Sequence, residues 1–102
     1  MKVYEVQFDE QAFSQLDDIA VFIAARDNPL SASRYIDRII TFCQGLRIFP
    51  RRATERTDLA PGLFVIGFKR RVSITFTIDE EKLLVWITGI YYGGQDWESN
   101  YA

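Results

Sequence analysis

Histidine is absent from this chain, and cysteine occurs once, at Cys43. Without histidine the commonest transition-metal ligand and general base is missing, and one thiol can form neither an internal disulfide nor a multi-thiolate zinc site. No metal or other cofactor is therefore expected. No run approaches the roughly 20 apolar residues that span a bilayer, and Met1-Lys2-Val3-Tyr4-Glu5 lacks the apolar core of an export signal. The expectation is a cytoplasmic protein with no membrane partner. Only three prolines and six glycines occur in 102 residues, so the chain is not low-complexity. With 48% hydrophobic and 25% charged residues it reads as one globular domain over 1–102.

The net charge of −2 conceals an asymmetry. Residues 47–71 hold seven cations (Arg47, Arg51, Arg52, Arg56, Lys69, Arg70 and Arg71) against Glu55 and Asp58, a surplus of five. The remainder has five cations against twelve carboxylates, a deficit of seven. Such a strip is either a solvated loop or the means by which an acidic body attracts one acidic partner without binding nucleic acid indiscriminately.

Periodicity sets the elements. Tyr4, Val6 and Phe8 alternate with Glu5 and Gln7, the signature of a half-buried strand. From Asp9 the spacing changes to threes and fours, with Phe13, Leu16, Ile19, Ala20 and Ile23 along one side of a helix. Asp27-Asn28-Pro29 breaks it, since Asn28 caps a following helix and proline at the first helical position loses no needed donor. The second helix carries Ala32, Ile36, Ile39, Cys43 and Leu46 until Pro50 stops it. So short a link makes the two helices an antiparallel hairpin.

Residues 50–62 lack periodicity and read as an exposed basic loop ending in Pro61-Gly62. Three strands follow: Leu63–Phe68, the alternating Val72–Ile78, and Leu83–Tyr92, with Asp79-Glu80-Glu81 as the turn between the last two. The last strand is apolar on both faces, which predicts an interior position with helices on one side and another cover, a partner, on the other. The fold class is α+β, two-layer, β-α-α-β-β-β, a helical hairpin packed on a mostly antiparallel four-stranded sheet.

Few side chains offer chemistry. Lys69, Arg70 and Arg71 occupy a hairpin turn. Tyr91 and Tyr92 point to opposite faces of a strand, so one ring belongs to the core and the other is available for binding. Trp97 either anchors an interface or staples the tail to the sheet. Cys43 lies in an apolar stripe and reads as buried and inert. Asp17 and Asp18 sit about 100° apart on a helix, a solvated face and no acid/base couple.

The element order, Leu16-Asp17-Asp18-Ile19-Ala20, the Asp58-Leu-Ala-Pro-Gly62-Leu63 turn, the Arg71 strand and Ile90-Tyr91-Tyr92-Gly93-Gly94-Gln95-Asp96 together resemble the ParE branch of the RelE/ParE toxin superfamily of type II toxin–antitoxin (plasmid stabilisation) modules. The likeness runs from about Val3 to Trp97. It implies a growth-arresting toxin in a hetero-oligomer with a cognate antitoxin whose tail folds over helices and sheet. On the ParE branch it implies inhibition of DNA gyrase, with no catalytic centre of its own and no sequence-specific nucleic-acid binding. Lys69, Arg70, Arg71, Tyr91, Tyr92 and Trp97 are then the partner-binding residues. The RelE branch implies instead a ribosome-dependent endoribonuclease, with Lys69, Arg70, Arg71, Tyr91 and Tyr92 near its active positions. A degenerate, non-toxic antitoxin-binding module is a third implied outcome. The Gly93-Gly94-Gln95 segment follows the ParE pattern, with Gln95 where many relatives place arginine. An acidic chain of pI near 5 also suits gyrase better than ribosomal RNA, where affinity comes from phosphate neutralisation. All of these readings need a greasy, cationic face left uncovered by the chain itself.

Overall fold

A computed structural model describes residues 1–101. Strand β1 (Glu5–Phe8) leads into helices α1 (Glu10–Arg26) and α2 (Pro29–Gln44), followed by strands β2 (Thr54–Glu55), β3 (Phe64–Phe68), β4 (Val72–Asp79) and β5 (Leu84–Tyr92). The cap at Asn28 forms as the sequence predicts, and Asp9 caps the first helix. Asp9 accepts a hydrogen bond from the Gln11 N–H at 3.0 Å, Asn28 accepts one from Ser31 at 2.9 Å, and Pro29 opens α2.

The sheet corrects the expected one in two ways. It has five strands, in the order β1-β5-β4-β3-β2, because Thr54–Glu55 pairs with Val65 and Phe64 inside the segment expected to be loop. It is also mixed, because β1 lies parallel to β5, with Phe8 opposite Ile87. A two-residue strand is too short to show alternation, and pairing across nearly the whole chain leaves no local trace. The interior position of β5, between β1 and β4, is as predicted.

The two-faced apolarity of β5 has a cause that alternation alone does not reveal. Thr75 pairs with Gly89 while the next residue, Phe76, pairs with Ile87, so Thr88 is an extra residue in β5. This bulge resets the phase. Val85 and Ile87, before it, and Ile90, after it, are all buried, and Tyr92 packs against helix residues Phe22 and Tyr35. Gly89 and Tyr91 are left with Thr75 on the opposite face.

The core between helices and sheet centres on Ile39, Cys43, Leu46, Ile74, Phe76 and Val85, all at 0% exposure. Phe13 is not part of it. Ala12 and Leu16 supply the inward face of α1, while Phe13 is 52% exposed and packs beside Phe8 at 5.3 Å. The expected second cover of the sheet is supplied in part by the chain itself, since a short 3-10 turn, Trp97–Tyr101, lies against Tyr91.

Candidate functional site

The β3–β4 turn is the most cationic point of the hairpin. Arg71 N–H donates to the Phe68 carbonyl at 3.2 Å, closing a tight turn in which Lys69 and Arg70 have φ of 50° and 63°. Two successive left-handed residues make the turn favoured by strand twist, normally built from Asn-Gly. Here neither position is glycine, and each bears the steric cost of its Cβ. The strained turn holds both side chains out in solvent, with the Lys69 ammonium 5.6 Å from the Phe68 ring centre. Among the described residues, Lys69, Arg70 and Arg71 form no ion pair.

The other cations of the basic strip behave differently. Arg56 is forked onto Asp58 at 2.9 Å and Glu98 at 2.7 Å, and Arg51 onto Glu80 at 2.9 Å. Arg52 donates to the carbonyls of Ile48 and Phe49. The single strip seen in the sequence is thus divided: its middle is used internally, and its far end is unpaired among the described residues.

From the turn the chain enters a groove of about 1030 Å³ between α1, the end of β5 and the segment after it. Arg71 and Arg26 line it with Phe22, Tyr92 and Trp97. Gly93 N–H donates to the Arg71 carbonyl at 2.7 Å, which ties the groove to the basic turn. Beyond Phe8 no strand flanks β5 on this side among the described residues, and the Ile90 N–H is satisfied by the Gln15 side chain at 2.6 Å. Arg26 lies 4.5 Å over the Phe22 ring, and Phe22 meets Tyr92 at 5.5 Å, so the wall alternates guanidinium and aromatic surface.

The two tyrosines take the opposite faces predicted. Tyr92 is half-buried beside the groove, whereas Tyr91 is only 6% exposed. Tyr91 leans across Gly89, where an added Cβ would meet its ring at 2.6 Å, and Trp97 stacks on it at 5.6 Å and 16°. Its hydroxyl accepts a long hydrogen bond from Gln11 at 3.4 Å. Trp97 is therefore a staple for the tail, with one edge left on the groove. Of the six residues singled out in the sequence, Lys69, Arg70, Arg71 and Tyr92 gather on the turn and its groove, Trp97 joins them at the rim, and Tyr91 also lines the groove, with little of its surface exposed. Beside Tyr92 the Tyr35 hydroxyl is buried without a partner among the described residues, and burial, then the neighbouring Tyr92, raises its pKa. Burial likewise pushes the Cys43 thiol up to about 12, as an inert core position requires.

Sequence reasoning missed Phe22 and Arg26. Their i,i+4 spacing on α1 was the available signal, but it lies off the inward stripe that defines the helix. Among the described residues no group of three potential ligands could hold a metal ion.

The fold has known counterparts. The toxin of a chromosomal ParDE toxin–antitoxin system from P. aeruginosa superposes with TM-score 0.77 at 17% identity, covering 91% of this chain and 99% of that one. The RelBE2 toxin–antitoxin complex from Mycobacterium tuberculosis gives 0.68 at 22% identity, covering 88% and 98%. A mutant of the E. coli toxin RelE in the free state gives 0.67 at 14%, covering 98% and 94%. At such identities these likenesses establish the fold. No curated protein sequence matches the chain. The model of the ParE toxin of type II toxin–antitoxin systems matches residues 6–97, from β1 to the Trp97 staple, and the chain belongs to that family.

Proposed function

We propose that this chain is a growth-arresting toxin that acts in the cytoplasm on DNA gyrase and is held silent by a cognate antitoxin. The observation that carries this reading is the β3–β4 turn. Lys69 and Arg70 are kept in strained left-handed conformations, exposed, beside Arg71 and without a counter-ion among the described residues. Strain retained at a surface point is commonly a feature of sites that engage other molecules. The turn opens onto a groove whose aromatic and guanidinium wall suits a macromolecular partner better than a small substrate. An antitoxin partner is supported by the complexes that P. aeruginosa ParDE and M. tuberculosis RelBE2 form.

Cleavage of messenger RNA is the competing reading, and Arg26 and Arg71 lend it two cations in one groove, offset by the Asp18 and Asp96 carboxylates that line it too. Two observations favour gyrase over it. The chain carries a net −2, a poor charge for affinity built on phosphates. Tyr91, one of the two candidate proton-transferring tyrosines, is covered by Trp97.

Purified protein added to a gyrase supercoiling reaction is expected to block supercoiling or trap cleaved DNA, and reversing charge at Arg70 and Arg71 is expected to abolish the effect. Unimpaired supercoiling at large molar excess, together with new messenger 5′ ends in expressing cells, would transfer the function to RNA cleavage.

A further inference from the structure

The segment after β5 closes on the body by side chains alone. Gly93 N–H donates to the Arg71 carbonyl, and among the described residues no backbone hydrogen bond joins residues 94–101 to the rest of the chain. Gly93 has φ 75°, and a Cβ at Gly93 or Gly94 would meet nothing within 4 Å, so two exposed glycines in open space form the joint. Beyond them the Ser99 hydroxyl donates to the Asp96 carbonyl at 2.9 Å and Trp97–Tyr101 winds into its 3-10 turn. The segment therefore holds a shape of its own.

Three contacts fasten it. Trp97 stacks on Tyr91, Glu98 meets Arg56 at 2.7 Å, and Tyr101 turns its hydroxyl towards those of Thr75, Tyr91 and Thr88. Gln95, Asp96, Glu98, Ser99 and Asn100 are exposed. What lies beneath is polar for its depth. Thr75 is wholly buried, its hydroxyl shares a hydrogen bond with that of Thr88 at 2.8 Å, and Tyr91 leans over Gly89 beside them. The neighbours of Thr75 in β4, Ile74 and Phe76, face the helices and are apolar. A position that stayed dry would favour an apolar residue likewise, whereas a hydroxyl suits a surface that is dry in one state and wet in another.

We propose that residues 95–101 are a hinged strap, which swings out about Gly93-Gly94 with the sheet intact and uncovers the Tyr91 ring and the Thr75–Thr88 hydroxyls. Opening breaks one aromatic stack, one surface ion pair and a few hydroxyl contacts, but no backbone ladder. The ion pair is partly exposed on both sides and adds little to the closed state. Ile39, Cys43 and Phe76, packed on the opposite face of the sheet, are untouched. A unit held in this way opens far more often than the body to which it is attached. The consequence is a gate. The closed chain offers a groove walled by Gln95, Asp96, Trp97 and Asn100, and the open chain lacks that wall. A partner that uses Tyr91 binds the open fraction alone, and its affinity is scaled down by that fraction. Lys69, Arg70 and Arg71 lie outside the strap, so the inference goes beyond the gyrase reading and does not rest on it.

The test compares two thiols in one variant of the full chain, Thr75→Cys, by iodoacetamide alkylation at pH 8 with peptide mass spectrometry. Cys43 reports opening of the core, and position 75 reports opening of the strap. The thiol at 75 is expected to react at least about tenfold faster than Cys43 and at least about tenfold slower than in the unfolded chain. Urea added below the unfolding transition should accelerate Cys43 and leave position 75 nearly unchanged, because strap opening exposes little surface. Adding Trp97→Ala should speed reaction at 75 at least fivefold. Thr88→Cys, in the same hydroxyl cluster, gives the same reading if Thr75→Cys does not fold. If position 75 follows Cys43 in rate and in urea dependence, the strap leaves only when the whole domain unfolds and the inference is wrong. Reaction as fast as in the unfolded chain would mean that no closed state exists, and indifference to Trp97→Ala that something else covers the patch; either result also overturns it. The supercoiling assay bears only on the turn.

Discussion

Tyr91 lies flat beneath Trp97, ring centres 5.6 Å apart at 16°, on the face of the sheet away from the helices. The chain thereby covers with its own tail a surface that its sequence offers to a partner. Tyr101 closes on Trp97 edge-on at 6.4 Å, and burial there raises its phenol pKa. Arg56 holds the same segment from the other side through Glu98. The tail is consequently part of the fold, and the groove beside it owes its outer wall to this packing.

Gly89 is what allows the stack. A Cβ at that position would lie 2.6 Å from the Tyr91 ring and 2.8 Å from the Thr75 hydroxyl. Gly89→Ala is expected to cost about 1–3 kcal/mol, the usual range for overpacking, because Tyr91 must tilt and lift Trp97. Urea unfolding followed by tryptophan fluorescence measures it. A midpoint unchanged from wild type would mean that the tail does not rest on Tyr91.

Glu80 makes the N-terminal end of the molecule pH-sensitive. Hydrogen bonds from Tyr4, then Arg51, then Lys2 lower its carboxyl from 4.5 to about 2. A group whose pKa is depressed by folding contributes stability above its unfolded pKa and loses it as pH falls towards the folded one. Wild type should therefore lose stability between about pH 4.5 and 2 relative to Glu80→Gln, while above pH 5 wild type should be the more stable of the two. Thermal melts from pH 7 to 2 test this; parallel curves would remove Glu80 as the source.

What the sequence made legible was local. Asn28 and Pro29 announce their helix start because capping is decided within three residues. The stripe Ala32-Ile39-Cys43-Leu46 identifies its own buried face. What escaped was relational: Thr88 is an extra residue only with respect to β4, and the parallel partner of β1 lies about eighty residues away. Arg56 and Arg70 look alike in the basic strip, yet one is bound to two carboxylates and the other to none among the described residues. The candidate site was half legible for the same reason. Its turn is a run of adjacent residues, whereas its groove borrows Phe22 and Arg26 from a different helix.

Cys43 gives a label-free view of global opening. It is fully buried with its thiol pushed up to about 12, so at pH 8 alkylation requires the core to open. Iodoacetamide should modify the native protein at least about a thousandfold more slowly than the urea-unfolded chain, the ratio expected for ordinary domain stabilities. Comparable rates, followed by mass spectrometry, would show α2 undocking from the sheet in the native state.

The last prediction separates stability from activity at one turn. Lys69 and Arg70 carry φ of 50° and 63°, the geometry that Asn-Gly adopts with little strain. Replacing the pair, Lys69→Asn with Arg70→Gly, removes two charges and relieves backbone strain worth about 1–2 kcal/mol per left-handed residue, offset in part by the flexibility of glycine in the unfolded chain. The double variant should melt higher than wild type and lose growth arrest, whereas Arg70→Lys should retain both. If the variant is more stable and equally toxic, the turn's cations do not engage the target. If it is less stable, the left-handed geometry is not the source of strain, because the new residues suit that geometry better than the ones they replace.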